Sequence, residues 1–314
     1  MNSSIFDPGS VRVAVCGSGG HAQVGLSVER PNAASLLRGR PADEAVRMLP
    51  LLYAICGAAQ GVAGQLALAA ARGDARTGAI DPAVLAEARR EHLWRLLLDW
   101  PQALGLSPQR ELFVAARKRA GADDFCEWAL QDLSEHFARV EAALTSQAEM
   151  ALGEDPWLPP LTAAQTVDAW PRLDAAWAAM PVWRGAPAST GALARHPELA
   201  GGSPILARAA ARAADLIDSA GLGIASSATV AAGVGRAAVE TARGLLLHEI
   251  VLDGDSVADY TIVAPTEWNF HPAGALAQLL QRMAGGDDDE FRIAAERAML
   301  AWDPCVRWEI EAAE

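Results

Sequence analysis

Apolar and polar residues alternate over Val11–Val15 and again over Gln23–Val28, on either side of Gly17-Ser18-Gly19-Gly20. Period-two alternation around a glycine-rich break predicts a hairpin near the start of the chain, with Cys16 at its turn. Beside glycines, Cys16 reads as a small apolar filler, with a reactive thiol as the alternative. Helical signals follow from about Asn32 to Arg38, where Gly39, Arg40 and Pro41 interrupt them. Asp43–Leu52 then leads into an uncharged stretch, Leu49–Ala71, built mainly from Ala and Gly. Pro50, Gln60 and Gln65 argue against a membrane span. Small residues at Gly57, Ala58, Gly61 and Gly64 predict a closely packed central helix carrying Cys56.

Pro82–Leu98 reads as an amphipathic helix with a charged face, and Ser107 or Pro108 as the start of the next. Across Asp123–Ala151, Phe125, Trp128, Leu130, Leu133, Phe137, Val140 and Leu144 fall largely at helical spacing. Glu154–Pro160 has the composition of a linker. Trp157, Trp170, Trp177 and Trp183 punctuate Pro-rich segments as packing anchors. Ser203-Pro204 opens a helix to about Ala220. Leu222–Gly235 is small and Gly-rich and reads as a loop or connector. Val239–Pro272 holds two strands around an Asp253-Gly254 turn. An acidic run at Asp287–Glu290 precedes a last helix spanning Arg292–Glu311, which contains Asp303-Pro304-Cys305.

Composition narrows the function classes. A chain of 314 residues with 51 % hydrophobic content can bury a core, and a formal charge of -13 gives no affinity for a phosphate backbone. The expectation is no nucleic acid and no membrane. The four cysteines form no Cys-x-x-Cys pair, so neither a closed zinc site nor a disulfide framework is expected. The start MNSSIFDPGS reads as no signal peptide, and the compartment as cytoplasmic. His92 and His136 sit on helix faces without a metal-binding spacing, and Leu222–Gly235 lacks the Gly-Lys-Ser/Thr of a phosphate loop.

Taken together, the motifs resemble the large subunit of nickel–iron hydrogenases. Its Pro-Arg-Gly-x-Leu-x-His strand is matched by Ala242-Arg243-Gly244-Leu245-Leu246-Leu247-His248. Its Pro-Thr-x-Trp-Asn segment is matched by Pro265-Thr266-Glu267-Trp268-Asn269, and its terminal Asp-Pro-Cys by Asp303-Pro304-Cys305. Gly39-Arg40, Ile55-Cys56-Gly57 and Thr190-Gly191-Ala192-Leu193-Ala194 are similar to further motifs, in the same order. The resemblance implies an α+β, predominantly helical fold, with a central helix bundle and small antiparallel strands from both chain ends. It also implies one domain over 1–314: an N-terminal hairpin (1–40), a helical bundle (41–235), and a C-terminal hairpin with terminal helix (236–314).

The departures shape the expected function. In that family two cysteine pairs hold nickel and iron. Here the first member of each pair is kept, as Cys56 and Cys305, while the bridging positions are Ala59 and Trp308. The closing histidines fall at Ala63 and Glu311, the first motif's arginine at Ala54, and a proton-moving glutamate at Ala34. A four-thiolate bimetal site cannot form from these residues, so hydrogen turnover is not expected and the chain reads as no enzyme.

The pattern resembles the HupK/HoxV-type hydrogenase assembly proteins. That resemblance implies a scaffold holding the iron fragment Fe(CN)2CO through Cys56, Cys305 or both, without nickel. Thiolate is a soft donor suited to such an iron. Arg243 would offer cyanide nitrogen a charge-assisted fork, and Pro265-Thr266 a hydroxyl and backbone N–H groups. Implied partners are the hydrogenase maturation proteins, including a small iron-carrying chaperone, and the hydrogenase large-subunit precursor. Two alternatives stand beside this: a metal-free docking relative of the large subunit, and an enzyme with an altered mononuclear site. His248 and Trp268 read as structural, and Asn269 as a turn residue.

Overall fold

A computed structural model of the protein describes residues 9–17, 22–76, 78–146, 158–163, 170–219, 221–284 and 287–311. Strand β1 is Ser10–Cys16, β2 Gln23–Glu29 and β3 Ala79–Ile80; then come β4 Ile224–Ala231, β5 Val234–Thr241, β6 Gly244–Asp253, β7 Ser256–Val263 and β8 Arg307–Glu311. The first helices are α1 Ala42–Leu52, α2 Gly57–Ala71 and α3 Pro82–Trp94, with a π turn Arg95–Asp99 leading into α4 Trp100–Ala103. They are followed by α5 Arg110–Arg119, α6 Phe125–Ser146, α7 Ala175–Ala179, α8 Ala192–Arg195 and α9 Pro204–Ile217. The last three are α10 Pro265–Asn269, α11 Ala275–Met283 and α12 Asp288–Trp302.

The expected helices form for the expected reasons. On α6, Phe125, Ala129, Leu133, Phe137 and Val140 are buried along one stripe. Asp81 caps α3 by accepting the Ala83 and Val84 amides, and Ser203 caps α9 by accepting that of Leu206, each ahead of a Pro at the first helical position. The helix after Gln109 begins at Arg110, slightly beyond Ser107 and Pro108. Tryptophans do anchor a core: Trp170 packs on Trp183 and Trp268 with ring centroids 4.4 and 5.5 Å apart. Trp157, most of the Glu154–Pro160 linker, the turn over residues 18–21 and the end of the Asp123–Ala151 reading lie outside the described residues.

Three sequence expectations change. Leu222–Gly235 is largely strand, not connector: β4 pairs antiparallel with β5 in a five-stranded sheet of order β3-β4-β5-β6-β7. Its small residues reflect crowding rather than turning. Helix α2 lies directly on this sheet, and a Cβ on Gly235 would stand 2.0 Å from the Ala67 carbonyl oxygen. Loop-like composition and a sheet pressed against a helix look alike in sequence.

The second change concerns Leu49–Ala71. It divides after Leu52, and Cys56 closes a 3-10 turn, Ala54–Cys56, before α2 begins. The third concerns the last helix, which stops at Trp302, where Asp303 takes a left-handed conformation (φ 56°). The residues beyond it form β8, which pairs parallel, not antiparallel, with β1 in a sheet of order β2-β1-β8. The hairpin β1–β2 is antiparallel as expected.

Candidate functional site

Cys56 and Cys305 line one narrow cleft, which encloses about 420 Å³ of space, part of it open to solvent. Each reaches it from a break in a helix. Cys56 ends the 3-10 turn before α2, and Glu87 of α3 fixes that turn by accepting the Ala58 and Ala59 amides at 2.8 and 3.1 Å. Uncapped N–H groups at a helix start are where an external carboxylate binds best. Cys305 follows the left-handed Asp303, and its amide donates to Thr266 Oγ1 at 3.4 Å. The same hydroxyl lies 3.1 Å from Cys305 Sγ.

Arg243 occupies the tight turn between β5 and β6 and lines the same cleft. Gly244 has φ 128°, and a Cβ there would meet Thr190 Oγ1 at 1.9 Å, so only glycine fits. Asn269 clamps the turn: its Nδ2 donates to the Arg243 carbonyl at 2.9 Å, and its Oδ1 accepts the Thr190 amide at 3.2 Å. Three motifs that are distant in sequence therefore meet at the backbone turn that carries Arg243.

The Arg243 side chain is buried between carboxylates. Its Nη2 donates to Glu91 Oε2 at 2.8 Å, and its Nε lies 3.3 Å from Asp303 Oδ1 without forming a hydrogen bond. Asp303 also meets Arg95 at 2.7 Å and Arg212 at 3.1 Å. Burial disfavours its charge, yet Arg243, Arg95 and Arg212 together hold its carboxyl below the ordinary range. Arg212 runs on to His92, and His92 to Asp215, so the charged network behind the cleft is continuous.

Burial, and next the proximity of Cys305, pushes the Cys56 thiol up to about 12. At neutral pH it keeps its proton until a stronger acid replaces that proton, as a bound metal does. Arg30 approaches from the other side, held 2.8 Å from Glu267, which in turn caps the Ala264 amide at the start of α10. Among the described residues, no three His, Cys, Asp or Glu side chains converge as a ready-made metal site.

The predicted residues are thus placed as follows. Cys56, Cys305, Arg243 and Pro265 line the cleft. Thr266 stands behind Cys305 and is spent on its sulfur and amide. Ala34, Ala59 and Ala63 are buried among apolar residues. Trp308, on β8, pairs with Val11 of β1 and is 39 % exposed. Glu87 and Glu91 were missed, because an acid pair four apart on a charged helix face reads as solvated surface. Gln60 was also missed: its amide nitrogen lies 3.5 Å from Cys56 Sγ. Its one available signal is the i, i+4 spacing from Cys56.

No protein-family model matches the chain. Solved hydrogenases share its architecture. An NAD+-reducing [NiFe]-hydrogenase in the H2-reduced state gives a TM-score of 0.62 at 13 % identity, over 90 % of this chain and 92 % of that one. A [NiFeSe] hydrogenase variant from Desulfovibrio vulgaris Hildenborough gives 0.58 at 14 % identity, over 95 % and 98 %. The fold is therefore α+β and that of the nickel–iron hydrogenase large subunit.

Sequence relatives are closer. The hydrogenase expression/formation protein HoxV of Cupriavidus necator is 31 % identical over 92 % of this chain and 93 % of its own length. HupK of Rhizobium leguminosarum bv. viciae is 32 % identical over 93 % of each. HupK of Azotobacter vinelandii is 32 % identical over 90 % and 91 %. The chain belongs to this family of hydrogenase expression/formation proteins.

Proposed function

We propose that this protein is a non-catalytic scaffold in hydrogenase maturation that takes up the Fe(CN)2CO fragment as cargo, holds it through Cys56 and Cys305, and passes it to the hydrogenase large-subunit precursor. The observation that carries this reading is the convergence of both thiols with Arg243 in one cleft. Two thiols are few for a resident zinc ion, which takes about four protein donors in structural sites and three in catalytic ones. An iron that brings three carbon-bound ligands of its own needs fewer.

The residues fit that cargo. Arg243 lines the cleft, and its Nε–H, 3.3 Å from Asp303 but not hydrogen-bonded to it, has capacity for an acceptor such as a cyanide nitrogen. Pro265 and Ile55 give the cleft apolar walls, as suits the carbon monoxide end. Thr266 orients the Cys305 sulfur, and its hydroxyl can donate to a thiolate. Both thiol protons leave when the fragment binds, and their return favours release. The donor is read as a small iron-carrying chaperone of the same maturation machinery. The names of the relatives support the role in hydrogenase formation.

Infrared spectroscopy tests the proposal. Protein purified after co-production with the maturation machinery should show carbon monoxide and cyanide stretching bands without nickel. Cys56→Ala and Cys305→Ala should each abolish them. Wild-type protein without bands would leave a metal-free docking role, and bands that survive both single substitutions would overturn the ligand assignment.

A further inference from the structure

Gln60, His248 and Tyr260 are at most 2 % exposed and form one chain of hydrogen bonds ending on Cys56. Gln60 Nε2 lies 3.5 Å from Cys56 Sγ, Gln60 Oε1 2.9 Å from His248 Nε2, and His248 Nδ1 2.8 Å from Tyr260 Oη. The sheet and α2 supply the members. His248 points from β6, Tyr260 from the neighbouring β7, and Gln60 from the first turn of α2, one helical turn beyond Cys56.

Two proton arrangements satisfy these distances. In the first, Tyr260 donates to His248 Nδ1, His248 Nε2–H donates to Gln60 Oε1, and the Gln60 NH2 group faces the sulfur. In the second every bond runs backwards: Nδ1–H donates to the tyrosine oxygen, Nε2 accepts from the amide, and Gln60 Oε1 faces the sulfur. The second strands the Tyr260 hydroxyl hydrogen, which has no other acceptor among the described residues. A buried O–H without an acceptor carries its whole desolvation penalty, which exceeds that of the weak S–H donor that the first arrangement leaves unbonded at Cys56; the second amide hydrogen of Gln60 has no partner among the described residues in either arrangement. Burial also keeps His248 neutral, with its ring held down to about 3, so one ring nitrogen has to accept.

We infer that Tyr260, His248 and Gln60 form a buried positioning relay that fixes the Gln60 amide with its NH2 group, not its oxygen, against the Cys56 sulfur. The relay moves no proton. It makes Cys56 a hydrogen-bond acceptor in advance, which suits a sulfur about to bond a metal and penalises a thiol that needs an acceptor for its own hydrogen. Cys305 has no such bias, because the Thr266 hydroxyl can turn to donate or accept. The relay deepens the proposed function and rests on it for the identity of the cargo alone.

The first test uses metal-free wild-type protein labelled with 15N-histidine, with the His248 signals assigned by their loss in His248→Gln. The expected ring is protonated at Nε2 and bare at Nδ1; the opposite tautomer overturns the relay. The second test measures alkylation of Cys56 by iodoacetamide at one fixed pH, with Cys16, Cys126 and Cys305 replaced by Ser. Gln60→Leu should slow it about three- to tenfold, the worth of one hydrogen bond to sulfur, and Tyr260→Phe should slow it less. An unchanged rate in a folded Gln60→Leu protein overturns the relay. In loaded protein, Gln60→Leu should also move the carbon monoxide band to lower wavenumber, because an unbonded thiolate pushes more charge onto iron. If the wild type shows no such bands, the cargo proposal fails, while the tautomer and alkylation results still decide the relay.

Discussion

The Thr266 hydroxyl holds Cys305 at two atoms, accepting from its amide and lying 3.1 Å from its sulfur. Thr266 is 1 % exposed, so no water competes for either contact. In the proposed scheme Thr266 orients the Cys305 sulfur. Thr266→Val keeps the shape and removes both contacts. The folded protein should lose about 1–2 kcal/mol of stability, read from urea unfolding. Its iron-fragment bands should weaken, while Thr266→Ser retains them. Full-strength bands in the valine variant would show that Cys305 needs no orienting hydroxyl.

Asp303 is the one carboxylate that Arg95, Arg212 and Arg243 share. Removing the charge leaves two buried guanidinium groups, Arg212 and Arg243, under-compensated beside the partly exposed Arg95, and breaking buried pairs in this way costs about 3–5 kcal/mol. Asp303→Asn should therefore lower the unfolding midpoint more than Asp259→Asn, whose Arg38 pair is exposed to solvent. Equal effects of the two substitutions would mean that the network contributes little.

Stability should fall as the solution is acidified below neutrality. Burial holds His248 down to about 3, and burial outweighs Asp215 in lowering His92. The unfolded chain takes up these protons at about 6.5, and the folded chain does not. The stabilisation is thus complete above that pH and is lost as pH drops, by up to about 1.4 kcal/mol per unit for each ring. His196, raised by its bond to Asp215, works in the opposite sense. Calorimetry from pH 7.5 to 5 should show a falling Tm, with a shallower slope in His248→Gln. A flat profile would contradict the buried neutral rings.

Much of this arrangement is legible in the sequence because strong local signals mark it. The Asp253-Gly254 turn, the Pro265–Asn269 segment and the paired first cysteines each identify their place without help from tertiary structure. What stays hidden depends on neighbours. Gly235 and the Ala/Ser-rich β4 look like a connector until α2 is known to lie on them. The end of α12 at Asp303 needs the left-handed turn that its three arginines favour. Glu87, Glu91 and Gln60 carry no motif; only the packing of α2 and α3 turns their side chains toward the cysteines. Trp308 stands where the hydrogenase pattern has a bridging cysteine, yet β8 turns it toward solvent rather than into the cleft.

The parallel pairing of β8 with β1 has a kinetic consequence. Cys305 is tethered on one side by α12 and on the other by a strand whose partner is among the earliest in the chain. Closing so long a loop is entropically slow, and parallel non-local pairing tends to come late in folding. On the ribosome, the Cys56 half of the cleft can form while residues 307–311 are still being made, but the Cys305 half cannot. The two-thiol cleft is therefore completed as a last folding event, and a nascent or clipped chain offers only one of its two thiols.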